Sequence, residues 1–448
     1  MSIRSWTLRN LILPAGDAAF RHGMIRRLRF LEQAQWWDSE RIEKFRRERL
    51  AELTQVAYRE VPFYRDLMNS AGLRPEDLRR PEDLPRLPMV SKPMLRARYP
   101  HDVVRDTGLR TYEARTSGST GTNFAVREDS ETAGYYRASL MLSLAWTGWQ
   151  IGDEHIQSGI TPVRNLERRL KDRLLRCHYV SAYDTTDASL DGMLGLIERR
   201  GIRHVWGYPC SMYLLARRAR QLGWNQPLRA IATWGDTLYP QYRKTIEEVF
   251  GVQVYDTYGC GEGIQIAAQC GHGPHYHTHE IDGVVEFVDD AGQPVAPGQP
   301  GHVLLTRFHP GPMPLIRYRV GDSAVPSKTT RCACGRHWSL MDSIQGRDTD
   351  VIVTPEGNRL IVHFFTGILE FFDEIDAFQV VQKELESMHV RIVLKPGEVF
   401  TRELEQRIIA RLQERGAMGI KIYIEPVDEI PLSKAGKRRF VMSEVALR

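Results

Sequence analysis

No part of the 448-residue chain has the roughly 18–20 consecutive apolar positions that cross a bilayer, so no membrane span is expected. Its opening stretch, residues 1–21, holds a short apolar patch at Leu11–Pro14. No small-residue cleavage site follows a proper apolar core, which argues against a secretion signal. Cysteine is scarce. The six residues Cys177, Cys210, Cys260, Cys270, Cys332 and Cys334 cannot form a disulfide framework in a chain this long. A reducing, cytoplasmic setting is expected, in which the close pair Cys332 and Cys334 reads as metal-binding or structural. An excess of one charge is also missing: 61 Lys+Arg against 56 Asp+Glu leaves +5. Apart from an Arg-rich stretch at Arg26–Arg49, that excess is too dilute for a nucleic-acid partner. There is no internal repeat and no low-complexity tract.

What is present is the composition of a folded protein, 42% hydrophobic and 26% charged, long enough for two or three domains. From Asp38 to Arg98 the pattern is helical and basic, with Leu50, Leu53, Val56 and Ala57 at helix spacing. It then turns proline-rich at Pro75, Pro81, Pro85 and Pro88. Strand-like runs Ile202–Trp206, Ala230–Trp234 and Val252–Tyr255 alternate with helical patterns Ser211–Leu222 and Gln241–Phe250, predicting α/β architecture with parallel sheet. Beyond Gly283 the runs Val284–Val288, Gly301–Thr306 and Ala324–Pro326 predict an antiparallel or barrel-like section. The last hundred residues mix strands (Val351–Val353, Phe378–Gln382, Val390–Leu394, Lys421–Glu425) with a helix over Thr401–Arg415. The expected division is a large domain over residues 1–345, helical to about 100, and a small mobile α+β domain over 346–448.

The densest local signal is Thr116-Ser117-Gly118-Ser119-Thr120-Gly121-Thr122. Glycines and hydroxyls in this density leave backbone N–H groups open and permit positive φ, which suits a nest for phosphate oxygens. The G-x-x-x-x-G-K-[ST] spacing is absent, and by itself the loop reads equally well as a surface turn. It has company, in order: Asp256-Thr257-Tyr258-Gly259-Cys260-Gly261-Glu262, Arg317-Tyr318-Arg319-Val320-Gly321-Asp322, Gly346-Arg347-Asp348, and Pro431-Leu432-Ser433-Lys434-Ala435-Gly436-Lys437. Asp322 on its glycine turn suits paired ribose hydroxyls, and Lys437 is a cation held on a Pro/Gly turn.

Together these motifs resemble the adenylate-forming superfamily, and within it the phenylacetate–CoA ligases and the capsular-polysaccharide and coenzyme F390 synthetase-like proteins. Val61-Pro62-Phe63-Tyr64 and Leu84-Pro85-Arg86-Leu87-Pro88 resemble that branch's N-terminal pattern. Phe378–Gln382 and Asp350–Gly357 resemble its small domain. The resemblance implies that Thr116, Ser117, Gly118, Ser119, Thr120 and Gly121 wrap the β- and γ-phosphates of ATP. It places Gly235 and Asp236 beside the adenine, Asp256 and Tyr258 on the ring, and Gly259 in the same nucleotide-binding stretch. Glu262 orients Mg2+, Asp322 and Arg347 take the ribose, and Lys437 reaches the α-phosphate and acyl carboxylate. Three departures stand out: Thr122-Asn123-Phe124 follows Gly121 where a lysine is usual, Cys260 and Gly261 replace hydroxyl residues, and Asp236 replaces a glutamate.

Cys270-Gly271-His272-Gly273-Pro274-His275-Tyr276-His277 precedes a strand, and Cys332-Ala333-Cys334 lies about sixty residues on. Thiolates and imidazole suit tetrahedral Zn2+. Some relatives carry a Cys, His, Cys, Cys set near this place, which implies a closed structural site of Cys270, Cys332, Cys334 and either His277 or His275.

The activity implied is ATP-dependent activation of a small-molecule carboxylic acid to an acyl-AMP, followed by transfer to CoA. Alternatives are transfer to an amine, an amino sugar or a carrier-protein thiol, and a non-catalytic nucleotide-binding role. The aromatic residues Tyr135, Tyr136, Trp146, Trp149, Trp206 and Tyr208 are compatible with an aryl acid or with ordinary core. A homodimer is common in the family.

Overall fold

A computed structural model describes residues 3–116, 124–159, 164–182, 186–347, 351–356, 359–369, 372–430 and 440–445. It divides the chain into two compact units: Met1–Val320 with Ala324–Ser343, and Gly321–Ser323 with Ile344–Arg448.

The first unit opens with helices. α1 (Ile3–Thr7), a π-helical turn over Leu8–Ile12 and α2 (Leu13–Phe20) run on from one another. Left-handed backbone at Arg21 (φ 52°) and Gly23 (φ 62°) breaks the run before α3 (Met24–Ala34). α3 buries Ile25, Leu28, Leu31 and Ala34 along one stripe. Asp38 caps α4 (Ser39–Glu60) by accepting the Arg41 N–H at 2.8 Å. Pro62 then starts α5 (Pro62–Ser70) at the position where a missing N–H costs nothing. Of the expected apolar stripe on α4, Leu50, Leu53 and Ala57 are buried, while Thr54 takes the inner place beside a half-buried Val56. Proline-led 3-10 turns at Pro75–Asp77 and Pro81–Arg86 lead into α6 (Lys92–Ala97).

An antiparallel hairpin, β1 (Tyr112–Thr116) and β2 (Phe124–Glu128), precedes α7 (Ser130–Ala145), which Asp129 caps by accepting the Thr132 N–H at 2.8 Å. Strands and helices then alternate: β3 (His155–Gly159), α8 (Leu166–Leu175), β4 (Cys177–Ser181), α9 (Asp187–Arg200), β5 (His204–Gly207), α10 (Pro209–Gln221), β6 (Ala230–Thr233), α11 (Pro240–Phe250) and β7 (Val254–Cys260). They are followed by β8 (Ile264–Gln269), β9 (Tyr276–Thr278), β10 (Gly283–Val288), β11 (Gly301–Arg307), β12 (Tyr318–Pro326) and β13 (Leu340–Arg347). One sheet of 11 strands results, in the order β10-β11-β12-β13-β9-β8-β7-β6-β5-β3-β4. β4, β3, β5, β6 and β7 are parallel, and every residue of β5 and β6 is buried, as in a sheet covered on both faces. At β7 the sheet reverses and continues antiparallel through β8 and β9. The strands expected as a barrel-like section beyond Gly283 extend this same sheet, with β10 and β4 at its two ends. The main core joins α3 to α7 through Trp149, Trp206, Ile281 and Trp338.

The second unit contains the hairpin β14 (Val351–Val353) and β15 (Arg359–Ile361), α12 (Val362–Leu369), β16 (Ile375–Glu384), β17 (Ser387–Leu394), α13 (Arg402–Arg415), β18 (Lys421–Pro426) and β19 (Val441–Ser443). Its four-stranded sheet is ordered β18-β17-β16-β19. Thr401 caps α13, which buries Leu404, Ile408 and Leu412 at four-residue spacing. The buried Gln382 amide bonds the backbone of Val353 in both directions, donating to its carbonyl at 2.7 Å and accepting its N–H at 3.0 Å, and so ties β14 to β16.

Candidate active site and thiolate cluster

The parallel strands bring the expected nucleotide residues to one place. Gly207, Thr233 and Asp256 lie in register on β5, β6 and β7, so the residues leaving the carboxyl ends of β5 and β6 emerge beside the point where β7 runs on past its parallel partner. Open α/β sheets bind ligands at such ends. Gly235 turns there with φ 75°, and a Cβ on it would stand 2.8 Å from the Tyr208 ring, so only glycine fits. The half-buried Asp236 accepts the Thr237 N–H at 2.8 Å.

Asp256 is 3% exposed, and its carboxylate is engaged inside the fold. Oδ1 accepts the Thr233 hydroxyl and Oδ2 the Tyr276 hydroxyl, the latter at 2.7 Å. Burial pushes its pKa up to about 6, against the pull of those two bonds and of Arg243. The carboxylate is therefore not turned to a ring above the strand, and the backbone around it is what β7 presents. Tyr258, two residues on, is 7% exposed. The register shifts between Tyr258 and Gly259, where a Cβ would stand 3.1 Å from both Gln265 Oε1 and the Ile264 carbonyl.

Glu262 lies in the β7–β8 turn, 2% exposed. Its Oε1 accepts the Tyr318 hydroxyl at 2.6 Å and lies 3.3 Å from Lys92 Nζ, while Arg307 donates to its backbone carbonyl at 3.0 Å. A second buried carboxylate, Glu128, borders the same turn: its Oε1 would be 2.4 Å from a Cβ on Gly263, and burial raises its pKa against the pull of Arg307. Lys92 and Glu128 are the residues that sequence reasoning missed. Each sits at an element boundary that its neighbours advertise, Ser91-Lys92-Pro93 and Glu128-Asp129-Ser130, but nothing local says that they meet Glu262 or Gly263.

Asp322 stands on β12, and Arg347 is the last residue of β13. Thr116 ends β1. Ser117, Gly118, Ser119, Thr120, Gly121 and Lys437 lie outside the described residues, as do the side chains of Thr116 and Arg347.

The aromatic set proposed for an acyl pocket disperses. Trp149 and Trp206 are core, 2% and 3% exposed and 4.8 Å apart between centroids. Tyr135 stacks on His309 at 5.1 Å and receives Arg27 at 2.7 Å. Trp146 donates to Gln35 at 2.9 Å and stacks on His279. Tyr136 and Tyr208 remain beside the strand ends. Burial pushes Tyr136 up to about 12, with Cys260, Glu128 and Tyr208 as its electrostatic neighbours.

Beneath this region Asp282, fully buried, accepts Arg27 at 2.7 Å and the Ser139 hydroxyl at 2.6 Å. Burial opposes its ionisation, yet Arg27 holds its carboxyl below the usual range.

The four expected metal ligands converge. One donor atom each from Cys270, His277, Cys332 and Cys334 lies within 4.8 Å of all the others. Cys270 Sγ and Cys332 Sγ are 3.5 Å apart, and Cys334 Sγ is 3.3 Å from His277 Nε2. His275 turns elsewhere, with Nδ1 2.8 Å from Asp342. Burial pushes His277 down to about 4, so its imidazole is neutral, and pushes the Cys270 thiol up to about 12. Burial also opposes a thiolate at Cys334, but the Arg336 N–H groups hold it below the usual thiol range. Arg336 further donates to Gln35 at 2.9 and 3.0 Å and lies 4.3 Å over the Trp146 ring, linking the cluster to α3's end.

Residues 352–444 match the family described as the CapK C-terminal domain. A phenylacetate-coenzyme A ligase of Thermus thermophilus is 24% identical over 90% of this chain and 96% of its own. Protein CapK of Staphylococcus aureus is 22% identical over 59% of this chain and 58% of its own. Residues 352–444 thus match the CapK C-terminal domain, and along most of its length the chain is similar to phenylacetate-coenzyme A ligases. A crystal structure of 2-hydroxyisobutyryl-CoA ligase in complex with R3-HIB-AMP shares the fold of this chain, with a TM-score of 0.73 at 20% identity over 91% of each chain.

Proposed function

We propose that the protein is an ATP-dependent acid ligase that forms an acyl-AMP and passes the acyl group to CoA. The observation that carries the reading is that Gly235 and Asp236 follow the end of β6 where its parallel pairing with β7 stops at Asp256, in a chain aligned along 90% of its length with a CoA ligase. In the first step a carboxylate oxygen attacks the α-phosphorus of ATP and pyrophosphate leaves. In the second, the CoA sulfur attacks the acyl carbonyl, AMP leaves, and a proton is lost. Little covalent chemistry is asked of the protein, so positioning and charge stabilisation dominate.

The strand ends form the adenine side of the site, with Asp256 contributing backbone and Asp236 its side chain. The loop from Thr116 to Gly121 holds the β- and γ-phosphates through its N–H groups. Asp322 accepts from both ribose hydroxyls, helped by Arg347. Lys437 places its ammonium at the α-phosphate and acyl carboxylate. Glu262 would hold Mg2+, whose bound charge offsets that of the phosphates; a hard carboxylate oxygen suits that ion.

The thiolate cluster would hold a structural Zn2+. A Zn–S bond of about 2.3 Å places tetrahedral donors about 3.8 Å apart, a spacing bracketed by the 3.3–4.8 Å separations here. With four protein ligands the site has no open position, so its contribution is to folding. The expected location is the cytoplasm.

ATP–pyrophosphate exchange over a broad panel of carboxylic acids tests the first step, and CoA-dependent release of AMP the second. Exchange with none of the acids would refute the activity. Release that requires an amine or a carrier-protein thiol instead of CoA would refute the acceptor.

A further inference from the structure

The helical rod of residues 3–20 meets the rest of the chain along one side, where Ser5 and Leu8 are buried and Asp17 accepts the Ile25 N–H. Away from that side it presents apolar groups to water: Ile3 is 88% exposed, Trp6 49%, Leu11 56%, Ile12 42% and Phe20 69%. Leu11, Ala15, Ala18 and Ala19, all exposed, follow the i, i+4, i+7, i+8 spacing of a single helix face. Arg4 is the one charged residue exposed along the rod. A water-facing stripe of this kind is the reverse of the usual amphipathic arrangement, and contiguous exposed apolar surface marks an interaction site.

The charge around the stripe specifies the partner. Residues 3–31 hold six arginines and one acid, Asp17, which is already committed to the fold. Arg9 is taken by Glu32 and Arg27 by Asp282. Arg4, Arg21, Arg26 and Arg29 are exposed, and Arg29 is held against the rod by the Arg9 carbonyl (3.3 Å) and Asn10 Oδ1 (3.0 Å). A symmetric contact between two copies would set this arginine rim against itself. An anionic bilayer surface matches both features, since it takes an apolar face at acyl-chain depth and offers phosphates to the rim. The described chain has no helix long and apolar enough to cross a membrane, which leaves the rod lying in the interface plane.

We propose that residues 3–20 form an interfacial anchor that seats the protein on anionic phospholipid. This inference is independent of the ligase chemistry. The test is cosedimentation of the full-length protein with sucrose-loaded vesicles of phosphatidylcholine alone or with one third phosphatidylglycerol, at low and high salt. Sedimentation with the anionic vesicles only, weakened by salt, is expected. The double variant Leu11→Ser with Phe20→Ser, and separately Arg4→Gln with Arg26→Gln, should each lower partitioning about tenfold or more. Both pairs are exposed, so unchanged circular dichroism and melting are the matching control. Equal binding to neutral vesicles, no binding to anionic ones, or binding unaltered in both variants would overturn the proposal. So would a dimer in solution that the Leu11→Ser, Phe20→Ser variant dissociates while the parent ignores vesicles, because the face would then belong to a second copy.

Discussion

Asp256→Asn should stabilise the protein, and increasingly so as pH rises. In the folded chain Asp256 titrates near 6 against an ordinary 3.8, because burial penalises its charge. At about 1.36 kcal/mol for each pH unit, that difference corresponds to about 3 kcal/mol. The sign follows from linkage. Below about pH 4 the group is protonated in both folded and unfolded chains, and the penalty is absent. It grows as pH rises through about 6 and is complete above that, because the unfolded chain ionises more readily than the folded one. Asparagine removes the charge, and the Thr233 and Tyr276 hydroxyls can each turn to accept from its amide. Denaturant melts of both proteins from pH 4 to 8 should show little difference at the acid end and a gain of up to about 3 kcal/mol above pH 7. The ATP dependence of pyrophosphate exchange should be unaltered, since the carboxylate faces inward. A difference independent of pH, or a variant losing stability as pH rises, would refute the buried-charge argument. A tenfold rise in the ATP requirement would show that the carboxylate serves the nucleotide after all.

Lys437→Ala should lower acyl-AMP formation about 100–1,000-fold, while transfer from ready-made acyl-AMP to CoA survives; single-turnover assays of the two half-reactions separate these. Asp322→Ala should raise the ATP concentration needed for exchange, each charged hydrogen bond lost being worth about 1.5–3 kcal/mol, and an unchanged requirement would make it a turn residue. Elemental analysis should find close to one zinc per chain, lost in Cys332→Ser with Cys334→Ser together with a lower melting temperature, while exchange persists in the fraction that stays folded. Arg27→Met should cost about 3–5 kcal/mol in denaturant melts by stranding the buried Asp282 charge, and the double change with Asp282→Asn should recover part of the loss.

The alternation of β5, α10, β6, α11 and β7 was legible because short buried strands and proline-led amphipathic helices differ in length and period. In the second unit β14, β16, β17, β18 and α13 were legible for the same reason, whereas the three-residue strands β15 and β19 were not. α12 was not: Val362–Leu369 is apolar with no clear period, and such a run reads as strand or helix alike. The metal ligands were legible as a set, but the choice between His275 and His277 was not, because it rests on Asp342, 67 residues from His275 in sequence. The same limit hid Lys92 from Glu262. The aromatic residues near α7 invited a pocket, yet residue type alone does not distinguish lining from core, and Trp149 and Trp206 are core.

The Arg336–Gln35 contact joins residues 301 positions apart, and Arg27 waits for Asp282 across 255. At about 5–20 residues per second of synthesis, roughly 15–60 s separate the emergence of Gln35 from that of its partner. Helix α3 can thus meet α7 early, but it waits for Ile281, Asp282 and Arg336 before its contacts are complete. Chaperone demand around α3 should therefore end only when residue 336 arrives.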